Sequence, residues 1–446
     1  MVPFDLKWIR GQFPALTQEI NGQPAIFFDG PGGTQVPGAV IDAIADYLVR
    51  SNANAHGAFA TSARTDALVT SARMAIADFL GCEQQEVIFG ANMTSVTFAF
   101  SRAIGREIQP GDEIVVTKLD HSANVTPWYA LEEQGAIIHE VDINTVDCSL
   151  DMNSLQQQLN HRTKLVAIGY ASNATGTIND MAEVVKLAHE VGALVFIDAV
   201  HYAPHGPIDV KALDCDFLAC SAYKFFGPHL GILYGKQEHL ARFKPYKVKP
   251  ASDEIPCCWE TGTLNFEGLG GMVATINYLA KVGCHVSPSS HGDLLAALLE
   301  TEAGKTPAFR CPPTHAVATA YPSRRAALVT AMSAIQEYEK ELSQQLISQL
   351  LAIPGLTLYG ITDPANFSHR TPTVSIRIAG ISPATLAKEL GDRGIFTWHG
   401  NFYALGLTTK LGVENSGGLL RIGLVHYNTD QEIAGLIQSL TEITRM

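Results

Sequence analysis

The chain has no run of about 18 consecutive apolar residues, the length a membrane-crossing helix needs. Its opening, MVPFDLKWIRGQFPAL, lacks the charged start, apolar middle and small-residue cleavage site of a secretory leader. Basic residues are in the minority: 31 Lys and Arg against 44 Asp and Glu give a formal net charge of -13. That balance argues against nucleic acid or an anionic membrane surface as a partner. The eight cysteines are scattered, with no CxxC pair and no regular spacing. Buried free thiols in a reducing cytoplasm are therefore expected, and neither a disulfide framework nor a zinc site. No GxGxxG follows an early strand, which removes the fingerprint of a nicotinamide enzyme. Internal repeats, low-complexity tracts and charge blocks are absent too.

What remains is an ordinary globular composition, 46% hydrophobic and 17% charged over 446 residues, too long for one core and long enough for two domains. Between about residues 75 and 235, short apolar runs alternate with amphipathic stretches. The runs are EIVVT (113–117), KLVAIGY (164–170), ALVFIDA (193–199), DFLACSA (216–222) and GILYG (231–235). A stretch such as DMAEVVKLAHEVGA (180–193) carries its apolar residues at helical spacing. Continuous apolar strands alternating with helices predict an α/β unit, a mostly parallel sheet covered on both faces. The last run follows a tight turn, which suits an antiparallel strand. After LGGMVATINYLAKVG (269–283), residues 284–322 are rich in Pro, Ser, His and Gly and read as a long connection with one short helix near DLLAALLETEAG. A strong helix over about 323–353 then leads to two strand candidates, TPTVSIRIAG and LLRIGLVHYN. The expected layout is a large domain over 20–283 and a smaller α+β domain from 1–19 and 284–446.

Polar side chains stand just beyond the predicted strands: His121 after EIVVTKLD, Asn173 after KLVAIGYAS, Asp198 and His201 after ALVFI, and Lys224 after DFLACSAY. Ligands of an open parallel sheet sit beyond the carboxyl ends of its strands, so these groups are expected to share one crevice. Singly, each has a plainer explanation: the Asp a turn or cap, the His a satisfied core group, the Lys a chain that snorkels to water. Together they match the needs of pyridoxal phosphate. A lysine in a desolvated pocket can hold the aldehyde as a Schiff base, because its amine is freed for attack. A buried carboxylate, Asp198, can keep the ring nitrogen protonated, and a flat imidazole, His121, can stack on the ring. The phosphate needs N–H donors at a helix start. The segment GANMTSVTFAF offers one, with Ala91, Asn92, Met93 and Thr94 ahead of an apolar helix.

Taken with FFDGPGGTQVPGAV, DHSANVTPW, SNATGTI, FIDAVHYAPH, SAYKFFGPHLG, WETGTLNFEG and LLRIGLVHYNT, these residues give a sequence that resembles the class V aminotransferase group of fold-type I pyridoxal-phosphate enzymes over nearly its whole length, and within it the cysteine desulfurase-like subgroup. The resemblance implies a seven-stranded-type large domain with a smaller C-terminal domain. It implies that Lys224 is the Schiff-base lysine, Asp198 the partner of the ring nitrogen and His121 the stacking histidine, which also assists proton transfer. Asn173 and His201 would reach the ring hydroxyl, and Ser221 the phosphate. Thr263 would reach the phosphate of a neighbouring subunit, which implies a homodimer with shared sites, and Arg421 would hold the substrate carboxylate.

Two departures bear on function. Tyr223 stands where desulfurases carry a basic residue immediately before the lysine. In TWHGNFYALGL, Tyr403 stands where the persulfide-forming cysteine of the mobile loop is expected. A phenol cannot become a thiolate or carry sulfane sulfur. Cys257 and Cys258, close in sequence to Thr263, are the alternative thiols. The expected activity is therefore C–S cleavage of cysteine or a related β-substituted amino acid, not through a protein persulfide. Transamination or epimerisation, and a non-catalytic binding protein on the same fold, are the alternatives. Arg421, Tyr403 and His56 are the expected substrate determinants.

Overall fold

A computed structural model describes residues 4–302 and 322–445; Cys311 and about half of the expected connection lie outside them. The strands of the large unit are β1 (Val87–Gly90), β2 (Glu113–Thr117), β3 (Ile137–Val141), β4 (Thr163–Gly169), β5 (Leu194–Asp198), β6 (Phe217–Ser221) and β7 (Gly231–Gly235). They form a seven-stranded sheet in the order β1-β7-β6-β5-β4-β2-β3. Pairings among β2 to β6 are parallel, while β7 is antiparallel to both β6 and β1. The antiparallel reading of GILYG is thus correct. β1 and β3 were not among the strands expected from sequence.

Alternation along each strand divides the core in two. Val115, Val166, Val195, Ile197 and Leu218 face one helical layer. Ile114, Val116, Leu165, Phe196 and Phe217 face the other. Both sets are buried, the arrangement that lets a parallel sheet be apolar at every position.

The expected helix at 180–193 spans Met181–Glu190, capped by the Asp180 carboxylate accepting from the Glu183 N–H. The helix Phe266–Val286 packs on the large unit, and Pro288–Glu302 is the helix expected within the connection. A 30-residue helix, Pro322–Leu351, then joins the two units. Its first half gives Ala327, Ala331 and Ile335 to the large core, and its second half gives Leu342, Leu346 and Leu350 to the small one. The small unit holds β8 (Leu356–Tyr359), β9 (Thr373–Ile378), β10 (Trp398–Gly400) and β11 (Leu419–Gly423) in the order β8-β9-β11-β10, all antiparallel. Residues near the N-terminus touch both units: Ile9 and Phe13 enter the large core, while Arg10 pairs with Glu432 at 2.9 Å. The carboxyl ends of β4, β5 and β6 therefore face β10 and β11 across a cleft.

Candidate active site

That cleft is a cavity of about 760 Å³. Of the residues expected from sequence, Asn92, Met93, Thr94, His121, Asn173, Asp198, His201, Ser221, Tyr223, Lys224, Tyr403 and Arg421 line it. Ala91 and Thr263 do not: they line a separate cavity of about 310 Å³. His56 lies in neither; its ring is exposed and sits 3.2 Å from the Asp66 carboxylate. The expectation that His56 lines the substrate pocket does not hold within one chain, because the turn that carries it leads out to the surface before the helix Ala60–Leu80.

Each group is set by its local fold. Asp198 ends β5 and accepts from the Val200 N–H at 2.9 Å. Burial pushes its carboxyl up to about 7; the Val200 N–H opposes this, the nearby Asp120 charge adds to it, and Lys224 opposes it. Lys224 lies in a single 3-10 turn after β6, and its Nζ donates to the Pro31 carbonyl. Burial, reinforced by the Arg421 charge and opposed by Asp198, brings its ammonium down to about 7. Near neutral pH much of it is a free amine.

His121 accepts at Nδ1 from the Ala123 N–H, 3.0 Å away, which leaves the ring proton on Nε2. Burial, then the charges of Lys224 and Arg421, hold it down at about 4, so the ring is neutral. His201 bonds Thr371 at 3.1 Å and is kept uncharged chiefly by burial. Ser221 ends β6, and its Oγ accepts from the Met93 N–H at 2.9 Å. Accepting there leaves its O–H as a donor beside the start of the helix Met93–Gly105. Asn92 caps that helix through the Ser95 N–H. β7 runs so close behind that a Cβ at Gly231 would lie 2.4 Å from the Asn92 backbone, which is why a glycine stands there.

Arg421, in the middle of β11, donates to the Asn173 carbonyl at 2.9 Å and lies 4.3 Å from the centre of the Phe402 ring. Its Nε is buried without a partner, and so is Asn173 Oδ1. Asn173 has one Nδ2 hydrogen on the Phe402 carbonyl at 2.8 Å, and its Oδ1 is free to accept from a ligand. Burial, partly offset by Asp29, lowers the Arg421 guanidinium to about 9.

Several lining residues were not anticipated. Asp120 is fully buried, bridges Asn124 Nδ2 (2.9 Å) and the Gly169 N–H (2.8 Å), and so fixes the turn bearing His121 to the end of β4. Its position directly before His121 was the available signal. His229 stacks on Tyr223 with ring centres 4.7 Å apart, placing an imidazole beside the position that lacks a basic residue. Trp398 and Phe402 belong to the TWHGNFYALGL segment, in which only Tyr403 was singled out. Among the described residues no cysteine lines the cavity: Cys257 is exposed and Cys258 buried, both outside it.

The residues fit pyridoxal phosphate. A half-neutral lysine can take its aldehyde, a carboxyl in no direct ion pair among the described residues can take its ring nitrogen, and a neutral imidazole can lie on its face. Ser221 and the helix start suit a phosphate, and the unpartnered Asn173 Oδ1 can accept from a ring hydroxyl. The unpartnered Arg421 Nε suits a substrate carboxylate.

Similarity to known proteins agrees. The chain is 30% identical over 458 residues to a cysteine desulfurase of Synechococcus elongatus, covering 99% of this chain and 64% of that protein. It is 30% identical over 446 residues to an aminotransferase-like protein of Gibberella zeae, covering 98% of each. Among solved structures, the apo cysteine desulfurase of Thermococcus onnurineus superposes with a TM-score of 0.81 at 25% identity, covering 98% of each chain. These families use pyridoxal 5'-phosphate. The sequence profile of the family described as aminotransferase class-V matches residues 26–317 and 314–436. With most of its length matched in this way, the chain belongs to the class V aminotransferase family.

Proposed function

We propose that this protein is a pyridoxal-phosphate enzyme that breaks the C–S bond of cysteine or a related β-substituted amino acid by elimination, without a persulfide on the protein. The cofactor, when bound, supplies an electron sink for negative charge at the amino acid's α-carbon. Lys224 would hold its aldehyde carbon, Asp198 its ring nitrogen, His121 its face, Asn173 and His201 its hydroxyl, and Ser221 with Asn92, Met93 and Thr94 its phosphate. Arg421 anchors the substrate carboxylate with a planar fork that is already desolvated. Lys224 Nζ takes the α-proton, since an amine titrating near 7 is a competent base at neutral pH. His121, whose remaining donor is Nε2–H, can donate a hydrogen bond to the departing sulfur, and the α-proton held on Lys224 Nζ is the one available to neutralise it.

The observation that carries elimination over persulfide transfer is Tyr403 in the cavity wall, with no cysteine lining that wall among the described residues. The cysteine desulfurases among the relatives support C–S chemistry. We assign the protein as a homodimer on a separate ground. Ile41, Leu48, Val49 and Phe59 leave apolar surface exposed on and beside the helix Gly38–Arg50. In a dimer Thr263 and His56, outside their own chain's cavity, would serve the partner's. The seven described cysteines are free thiols, in keeping with a reducing cytoplasm.

The test is to incubate the cofactor-loaded protein with L-cysteine and S-substituted cysteines and to measure products. Pyruvate, ammonia and sulfide (or thiol) in equal amounts are expected. Alanine with sulfur passed to an acceptor would overturn the elimination route, and a keto acid that retains the sulfur would mean transamination.

A further inference from the structure

Residues 401–404 hold a conformation that the cofactor reading does not explain. Phe402 and Tyr403 have φ of 56° and 60°, two successive non-glycine residues in the left-handed region. Such positions are strained for bulky side chains and persist where the surroundings over-determine them. Here they do. The Phe402 carbonyl accepts from Asn173 Nδ2 at 2.8 Å. The Tyr403 carbonyl accepts from both the N–H and the hydroxyl of Ser122, at 2.7 and 2.8 Å. Asn401 accepts from the Tyr403 N–H at 3.1 Å and donates to Glu414 at 2.9 Å. The segment is tied to the turns after β2 and β4, the same turns that carry His121 and Asn173.

The outcome of this tethering is an aromatic wall. The Phe402 ring lies 4.3 Å from the Arg421 guanidinium, and the Tyr403 ring centre lies 5.2 Å from that of His121. Trp398, register partner of Arg421 on the neighbouring strand, completes the mouth. Tyr403 and Trp398 are 70% and 52% exposed, so this wall of the cavity is lined by rings still able to take apolar area from a ligand.

We infer that Phe402, Tyr403 and Trp398 are specificity determinants, and that the substrate is an α-amino acid whose side chain carries an aromatic or similarly bulky apolar group beyond Cβ. The carboxylate is fixed at Arg421, so the side chain is directed along the rings that flank it. A small polar side chain such as that of cysteine would leave these faces wet. The inference rests on the amino-acid reading given above and narrows it.

The test is a visible-spectrum titration of the cofactor-loaded protein with two matched pairs: L-phenylalanine against L-alanine, and S-benzyl-L-cysteine against S-methyl-L-cysteine. Within each pair the aromatic member is expected to bind roughly tenfold or more tightly, the discrimination an apolar pocket achieves. In Tyr403→Asn, which suits the left-handed backbone but lacks the ring, that preference is expected to fall by about two- to tenfold. Trp398→Leu, on a regular strand, gives the same reading if the first variant does not fold. Equal affinities within each pair, or a preference unchanged in both variants, overturns the inference while leaving the amino-acid reading intact. A spectrum blind to all four compounds overturns both.

Discussion

Lys224 must be uncharged to attack an aldehyde, yet it sits opposite a carboxylate that favours its charge. Burial decides the matter: with its ammonium lowered to about 7, the free amine predominates above that pH and is lost below it. Cofactor uptake by the apo-protein, followed by stopped-flow absorbance, is accordingly expected to speed up as pH rises through about 7. A rate flat from pH 6 to 8 would contradict a desolvated amine. Asp198→Asn would remove the charge that, in the proposed chemistry, holds a ring nitrogen protonated. Turnover is expected to fall at least about 100-fold, the scale of losing one preorganised electrostatic partner. Arg421→Ala is expected to raise KM for amino acids about 10- to 100-fold, the loss of hydrogen bonds to a charged group, with little change in the spectrum of the loaded protein. An unchanged KM would remove Arg421 from the substrate site.

At the scale of elements, polar residues hold strand ends in the register the site requires. Asp216, buried at the start of β6, accepts from the Val195 N–H of β5 at 2.8 Å and meets His189, Lys236 and His239 within 3.1 Å. Burial alone would raise its carboxyl. Hydrogen bonds from His239, His189, Val195 and Lys236 outweigh that and hold it well below the usual range. A folded-state value below the unfolded one means that the stabilisation is present at neutral pH and is lost as pH falls below about 4. Asp216→Ala leaves the buried Val195 N–H and His239 without their acceptor and takes one partner from His189 and from Lys236, which keeps Asp214 at 2.8 Å. Its expected cost is about 3–5 kcal/mol, read by urea unfolding at pH 7; a change under about 1 kcal/mol would show the cluster to be solvated.

The same scale explains what the sequence disclosed. β2, β4, β5, β6 and β7 are central or nearly so, buried on both faces, and their continuous apolar runs are visible directly. β3 is an edge strand with Ile137 exposed and His139 and Glu140 among its residues, so its run is broken. β1 has only four residues. Lys224, Asp198, His121 and Asn173 were legible because each follows such a run within a few residues. Trp398, Phe402 and His229 reach the cavity through the packing of the small sheet and through a turn, relations that no local pattern encodes.

For the molecule as a whole, the proposed dimer is what would bring the second cavity into the reaction. Thr263 and Ala91 lie together away from Lys224 in their own chain. If each site borrows Thr263 from its partner, Lys224→Ala and Thr263→Ala subunits should complement. A mixed dimer then has one intact site, and co-expression should recover activity that neither variant shows when pure. No recovery in a purified mixed dimer would mean that the sites are self-contained.

The proposed chemistry depends on Lys224 as the point of cofactor attachment. Borohydride reduction of the loaded protein followed by peptide mapping reads this directly. A phosphopyridoxyl group is expected on Lys224 alone, and absent from Lys224→Ala treated in parallel. An unmodified Lys224 in protein that holds its full complement of cofactor, or a label on another lysine, would contradict the account.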